Sequence, residues 1–330
     1  MNSTHKVEIV PVVLEKHGNA DSLSVVNVFG GYPCCVRTAD WSGKTLAAYL
    51  PPDSVVDVTR PEFAFLASGT KTKHRIRAKK LRGVQSFGLL MPAPDGAQLG
   101  DDVAAFYGVE HYEPEIKGAC TGGEAESAPG MLSQYPKYDI DAMRRYTNVF
   151  TPGEPVYVSE KIHGANARYS WFDGRMWCGS RTEWKKEIAD NLWWRALANT
   201  PSIRAFCEAN PGSLLYGEVF GQVQNLKYGA GRNDVWFAAF DILRTNGQFD
   251  NPPEFIAACQ RHGVARVPVI AMGVPFDINQ IYGWADGQSL VEGADHFREG
   301  CVVKPMAERW HQAVGRVVLK VVGAEYLEKA

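Results

Sequence analysis

The chain has 330 residues, 45% hydrophobic and 22% charged, the composition of a soluble globular protein long enough for two domains. A formal net charge of −2 leaves any nucleic-acid binding to local basic patches, and apolar runs such as Val235 to Leu243 are too short to span a bilayer. Seven scattered cysteines with no C-x-x-C pair offer neither a zinc site nor a disulfide framework; with the polar start Met1-Asn2-Ser3-Thr4-His5-Lys6, which lacks the apolar core of a secretory signal, they point to a reducing, cytoplasmic setting.

In chain order, residues 1–112 read as short strands, Val7-Leu14, Ser24-Phe29, Pro33-Thr38 and Thr45-Tyr49, separated by Gly-Gly, Ser-Gly and Pro-Pro turns. This spacing predicts a small barrel or sandwich. Within it, Lys71 to Arg82 carries seven basic residues in twelve: Lys71, Lys73, Arg75, Arg77, Lys79, Lys80 and Arg82. Such a stripe follows a phosphate backbone by releasing counterions, with a solvated loop as the plainer alternative. The nearby Phe63, Phe65 and Phe87 suit core packing better than base stacking.

Residues 113–134 turn poor in large apolar side chains and are expected to be a linker or surface loop. From Tyr135 the texture is mixed, so the whole chain is expected to be α+β. Asp139 is placed to cap a short helix over Ile140 to Tyr146, with Met143 inward. Strands follow at Val156-Glu160, Ala167-Phe172 and Met176-Gly179, then a helix containing Asn191-Leu197. Further strands are expected at Leu214-Phe220, Val235-Ile242, Gly300-Lys304 and Arg316-Val322, with a helix near Glu254-His262.

The chemistry-bearing residues begin with Ser159-Glu160-Lys161-Ile162-His163-Gly164-Ala165-Asn166, which places a lysine in the turn between two strands. A lysine there is ordinarily solvated surface, and becomes a nucleophile only when its amine is partly neutral. Behind it, in order, stand Arg181, Tyr216-Gly217-Glu218, the strand Phe237 to Ile242, Glu299-Gly300 with Lys304-Pro305, and Leu319-Lys320. Singly, each has a plain reading as a strand-end charge, a snorkelling lysine or a core ring.

Together the series resembles the ordered motifs of the covalent nucleotidyltransferases, the ligase and capping-enzyme superfamily. His163, where DNA ligases and capping enzymes carry aspartate, resembles the RNA-joining branch, as do Pro136 to Ile140 and Tyr216 to Gln224. Glu15 to Val26 and Leu81 to Leu90 resemble tRNA-binding OB-folds, so the arrangement is similar to RNA ligases of the Deinococcus and Naegleria type. The resemblance implies an OB-fold domain over 1–112, a linker over 113–134 and an antiparallel adenylyltransferase domain over 135–330.

It further implies a monomer that joins a 3′-hydroxyl to a 5′-phosphate end of RNA, or of an RNA/DNA duplex at a nick. Lys161 would attack ATP, AMP would pass to the 5′-phosphate, and the 3′-hydroxyl would then expel it. Glu218 and Glu299 would hold Mg²⁺ or Mn²⁺, while Lys304 and Lys320 offset phosphate charge. Phe237 would stack on adenine, Glu160 would lie at the adenine edge, and Arg181 near the sugar or end phosphate. Ile162, His163 and Asn166 would complete the nucleotide site. With ten residues after Lys320, no further OB domain is expected to follow, and the N-terminal module is expected to help capture 5′-phosphate ends. The alternatives are a DNA ligase or GTP-using capping enzyme and, from another class, a non-catalytic tRNA-binding OB protein.

Overall fold

A computed structural model describes residues 5–113, 116 and 124–329. Two compact units divide the chain: residues 1–113 with 141–147 and 324–330, and residues 114–140 with 148–323.

The first unit is built from short antiparallel strands: β1 (Glu8–Pro11), β2 (Leu23–Val28), β3 (Tyr32–Arg37), β4 (Leu46–Leu50), β5 (Ser54–Asp57), β6 (Lys73–Arg75), β7 (Lys79–Leu81), β8 (Val84–Ser86) and β9 (Leu89–Pro92). β4 is central, flanked by β1 and β9. Its apolar residues reach two cores, Ala48 and Leu50 in one, Ala47 and Tyr49 in the other, as strand alternation requires. The four expected strands are present, each within a few residues of the expected bounds.

The helix expected over Ile140 to Tyr146 is absent. Residues 143–145 form turns instead, with Arg145 N–H donating to Ala142 O (3.0 Å) and Tyr146 N–H to Met143 O (2.9 Å). Tertiary contacts override the weak local preference: Arg144 donates to Gly31 O (3.1 Å), and Arg145 reaches Glu8 Oε2 at 2.6 Å. Asp139 caps nothing; its carboxylate accepts from Arg181 (3.2 Å).

The linker expected over 113–134 lies partly outside the described residues, as do Met1 to Thr4 and Cys120. Of the remainder, Ala125–Glu126 pairs with Trp184–Lys185, and Gly130–Gln134 is a 3₁₀ turn that buries Leu132.

The second unit holds two antiparallel sheets. Its elements are β10 (Pro155–Lys161), β11 (Ala165–Phe172), β12 (Arg175–Ser180), α1 (Leu192–Asn199), α2 (Pro201–Ala209), β13 (Leu214–Gly221), β14 (Val235–Leu243), α3 (Pro252–His262), β15 (Val269–Pro275), α4 (Ile278–Trp284), β16 (Gly300–Pro305) and β17 (Leu319–Val322). One sheet runs β12-β11-β13-β14, the other β17-β16-β10-β15. Helices α1, α2 and α3 cover one face of the first sheet, where Tyr169, Val219, Phe237, Trp193, Phe206 and Phe255 form the largest core. Asn191 starts α1 by accepting the Trp193 N–H (3.1 Å), which satisfies one of its orphan donors. No described helix is long and apolar enough to cross a membrane.

Candidate active site

The segment Ile162-His163-Gly164 carries the chain from one sheet of the second unit to the other, since β10 ends at Lys161 and β11 begins at Ala165. Gly164 is required by close approach: a Cβ there would meet Val219 O at 2.2 Å and Glu218 Cγ at 3.0 Å. The crossing therefore lies directly on β13, with Gly164 against the Glu218 side chain.

Register decides what else faces this crossing. Ser159, Val302 and Lys320 stand side by side across three strands, as do Lys161, Gly300 and Val322, while Lys304 pairs with Tyr157. Paired residues share a face and alternate residues return to it, so Lys161, Lys304 and Lys320 project from one face. On the other sheet Asn166 sits opposite Glu218.

Lys161 Nζ donates to Glu299 Oε1 at 2.7 Å, the two side chains being 23% and 10% exposed. Glu299 Oε2 lies 3.5 Å from His163 Nδ1 and makes no hydrogen bond among the described residues. Burial alone would raise Glu299, but Lys161 and His163 outweigh it and hold the carboxyl at about 2. On Glu218 the same burial wins, pushing it up to about 8 against the pull of Lys161, with the Glu299 charge adding to the rise. Burial would lower the Lys161 ammonium, yet Glu299 and Glu218 prevail and raise it. Arg181 acts electrostatically on Glu218. Asn166 Oδ1 is buried without a donor, while its carbonyl accepts from Trp193 Nε1 (2.9 Å).

Three residues expected at the nucleotide are held by other contacts in the structure. Phe237 pairs with Val219 on the helix-covered face, away from Glu218; its ring is 3% exposed and meets Tyr169 edge-on at 5.2 Å. The aromatic pair on the Glu218 face is Phe220 and Trp236, at 5.7 Å. Glu160 lies on the opposite face of its sheet from Lys161, and its two oxygens accept from Ser289 Oγ and Leu290 N–H, both at 2.6 Å. Burial raises its carboxyl despite these bonds. Lys304 is taken up by a buried cluster: it donates to Asp241 Oδ2 (2.6 Å) and Phe240 O (2.9 Å). Arg316 reaches the same Asp241 oxygen at 2.8 Å and Glu308 at 2.6 Å, and Tyr138 donates to it at 2.5 Å. Ile162 is a buried residue of the crossing.

Sequence reading missed Arg316 and Tyr138, and with them Tyr228, whose hydroxyl accepts the His163 N–H at 2.6 Å. The Tyr-Gly pair at 228–229 is a turn signal, but nothing local ties it to residue 163.

In the first unit, Lys71, Lys73, His74, Arg75, Arg77 and Lys79 line a cavity of about 420 Å³ with Val55 and Tyr112. Arg75 is held by Asp53 (2.7 Å) and its guanidinium lies 3.9 Å from the Tyr112 ring centre; Lys73 meets Glu110 at 2.6 Å. Lys80 and Arg82 project from the β7–β8 hairpin into solvent. Phe63 and Phe87 are core residues, whereas Phe65 is 64% exposed.

A family model described as RNA ligase matches residues 154–322, and one described as an OB-fold domain matches residues 3–93. Solved structures of Naegleria gruberi RNA ligase have the same fold. The one with PPi aligns at a TM-score of 0.78 and 23% identity, covering 98% of each chain. A variant of that ligase with ATP and Mn also gives 0.78 and 23%, covering 98% of this chain and 99% of that one. Comparison with curated proteins by sequence finds no match. The RNA ligase model takes in the Lys161 crossing, both carboxylates and Lys320, more than half the chain, and the chain belongs to the RNA ligase family.

Proposed function

We propose that this protein is an ATP-dependent RNA ligase that seals a 3′-hydroxyl to a 5′-phosphate at nicks in duplexes, through AMP carried on Lys161. The observation that carries this reading is the contest for Lys161 between two carboxylates whose proton affinities are driven apart, Glu218 up to about 8 and Glu299 down to about 2. Carboxylates driven apart beside an amine hydrogen-bonded at 2.7 Å suit proton and group transfer. ATP and Mn accompany the Naegleria ligase variant noted above, which supports the same donor and metal here.

The donor set suits a hard divalent cation. Glu218 and Glu299 supply carboxylates, Glu299 Oε2 has a lone pair without a hydrogen bond, and Asn166 Oδ1 is a buried acceptor without a donor. No cluster of three or more His, Cys, Asp or Glu gathers among the described residues, which favours an ion held by one or two carboxylates together with water and phosphate. When bound, Mg²⁺ or Mn²⁺ neutralises carboxylate and phosphate charge.

The protein's own residues account for the rest. Glu299 keeps Lys161 protonated and aims it. As the hold of Glu299 and Glu218 on the ammonium weakens, its proton passes to solvent, and the freed amine attacks the α-phosphorus, forming the N–P bond as the bond to pyrophosphate breaks. AMP then passes to the 5′-phosphate, and the 3′-hydroxyl displaces it. Positioning and charge compensation dominate such transfers. Lys320, which shares a face with Lys161, would meet phosphate charge, and Arg181, whose charge reaches Glu218, would meet the sugar or end phosphate. The basic cavity of the first unit serves the duplex backbone.

Incubation with labelled ATP, GTP and NAD tests the donor. ATP alone should leave an acid-labile adduct, and an adduct from none of the three would refute the covalent mechanism. Sealing of nicked duplexes with an RNA 3′-hydroxyl strand tests the substrate, and preference for free single-stranded ends would overturn the nick assignment.

A further inference from the structure

Two loops outside the expected motifs meet behind Lys161. Tyr228 is fully buried yet sits in the left-handed region at φ 55°, a conformation disfavoured for a bulky residue. The following Gly229 presses on the second loop, where a Cβ would meet Gly293 O at 2.4 Å. The Tyr228 N–H donates to His296 Nε2 (3.1 Å), which makes His296 Nδ1 the protonated nitrogen, facing Phe297 O at 2.8 Å. The second loop is itself a hairpin, with the Ser289 N–H donating to His296 O (3.0 Å) and Arg298 clamping Gln288 O. Its tip is gripped by Glu160, the residue before Lys161. The circuit closes where the Tyr228 hydroxyl accepts the His163 N–H.

We propose that Tyr228 and His296 are positioning residues that fix the nucleophile segment from behind, so that Lys161 is held by Glu160 on one side and by the His163 backbone on the other. This rests on the lysyl-AMP reading for its kinetic consequence, but not for its structural one. A loosened His163 backbone lets Lys161 stray from the line of attack, and misplacement on the order of 1 Å costs up to about a hundredfold in rate. The last joining step does not use the Lys161 amine as nucleophile, so it should be spared.

The test compares Tyr228→Phe, His296→Ala and His296→Gln, whose amide oxygen can still accept the Tyr228 N–H. Adenylylation at saturating ATP should fall at least about tenfold in the first two and recover in the third. Sealing of pre-adenylylated nicks should stay within about twofold of wild type in all three. Equal losses in both steps, or wild-type adenylylation by Tyr228→Phe, would overturn the proposal. Hydrogen exchange of the 160–166 segment gives a readout independent of chemistry: it should quicken in Tyr228→Phe, and unchanged exchange also overturns it. Wild-type protein that takes no label from ATP would instead remove the ligase reading, leaving the exchange measurement to decide the circuit.

Discussion

The second unit contains two clusters of opposite charge that resemble each other in composition and differ in how they are satisfied. Around Asp241, one carboxylate is matched by Lys304, Arg316 and the Tyr138 hydroxyl, and Arg316 turns its other nitrogens to Glu308. Burial would raise Asp241, but Arg316 and Lys304 keep it low. Around Lys161 the stoichiometry is reversed, with two carboxylates to one ammonium: Lys161 and His163 hold Glu299 low, while burial, aided by the Glu299 charge, drives Glu218 high. A cluster with its charges matched resists change. The Lys161 cluster instead keeps a carboxylate oxygen, Glu299 Oε2, without a hydrogen bond among the described residues.

The largest effect that would break this contrast lies at Lys161. Lys161→Ala should abolish the nucleotide adduct outright while the chain still unfolds cooperatively in urea, because the released Glu299 can take up a proton. The mirror experiment is Asp241→Ala, which leaves Lys304 and Arg316 buried without their shared acceptor. It should cost about 3–5 kcal/mol in urea unfolding. If Asp241→Ala were as stable as wild type, the matched cluster would not be structural.

Glu218 sharpens the contrast through pH. Its carboxyl at about 8 in the folded chain lies above the unfolded value near 4.3, so the folded state holds an extra proton between them. That stabilisation is complete below about pH 4.3 and is lost as pH rises through about 8. Glu218→Gln mimics the protonated form. It should match wild type below the unfolded carboxyl value and unfold progressively higher than wild type as pH rises towards about 8, by several degrees at the end of the range, while losing ligase activity. A constant difference in melting temperature across that range would contradict the raised carboxyl.

Legibility in the sequence followed locality. Lys161, His163 and Gly164 are contiguous, and Glu218 and Glu299 stand in recognisable strand contexts, so the heart of the site could be read. The matched cluster could not: Tyr138 and Arg316 lie 178 residues apart, and no local pattern couples them. The Tyr228 to His163 bond spans 65 residues for the same reason. The helix expected near Ile140 failed because Arg144 and Arg145 serve tertiary contacts that a local pattern does not contain.

Phe237 illustrates a different limit and carries the smallest prediction. In Val235 to Leu243 all but one residue is apolar, so alternation assigns no face, and a bulge beside Tyr216 and Gly217 shifts the pairing within the strand. Only the pairing of Phe237 with Val219 places its ring in the helix-covered core. A core ring and an adenine platform answer differently to Phe237→Leu. Loss of packing should cost on the order of 1 kcal/mol of stability, with the KM for ATP in adenylylation unchanged. A severalfold rise in that KM without loss of stability would put the ring back against the nucleotide, whereas the same rise in Trp236→Ala would locate the stacking surface on the Glu218 face.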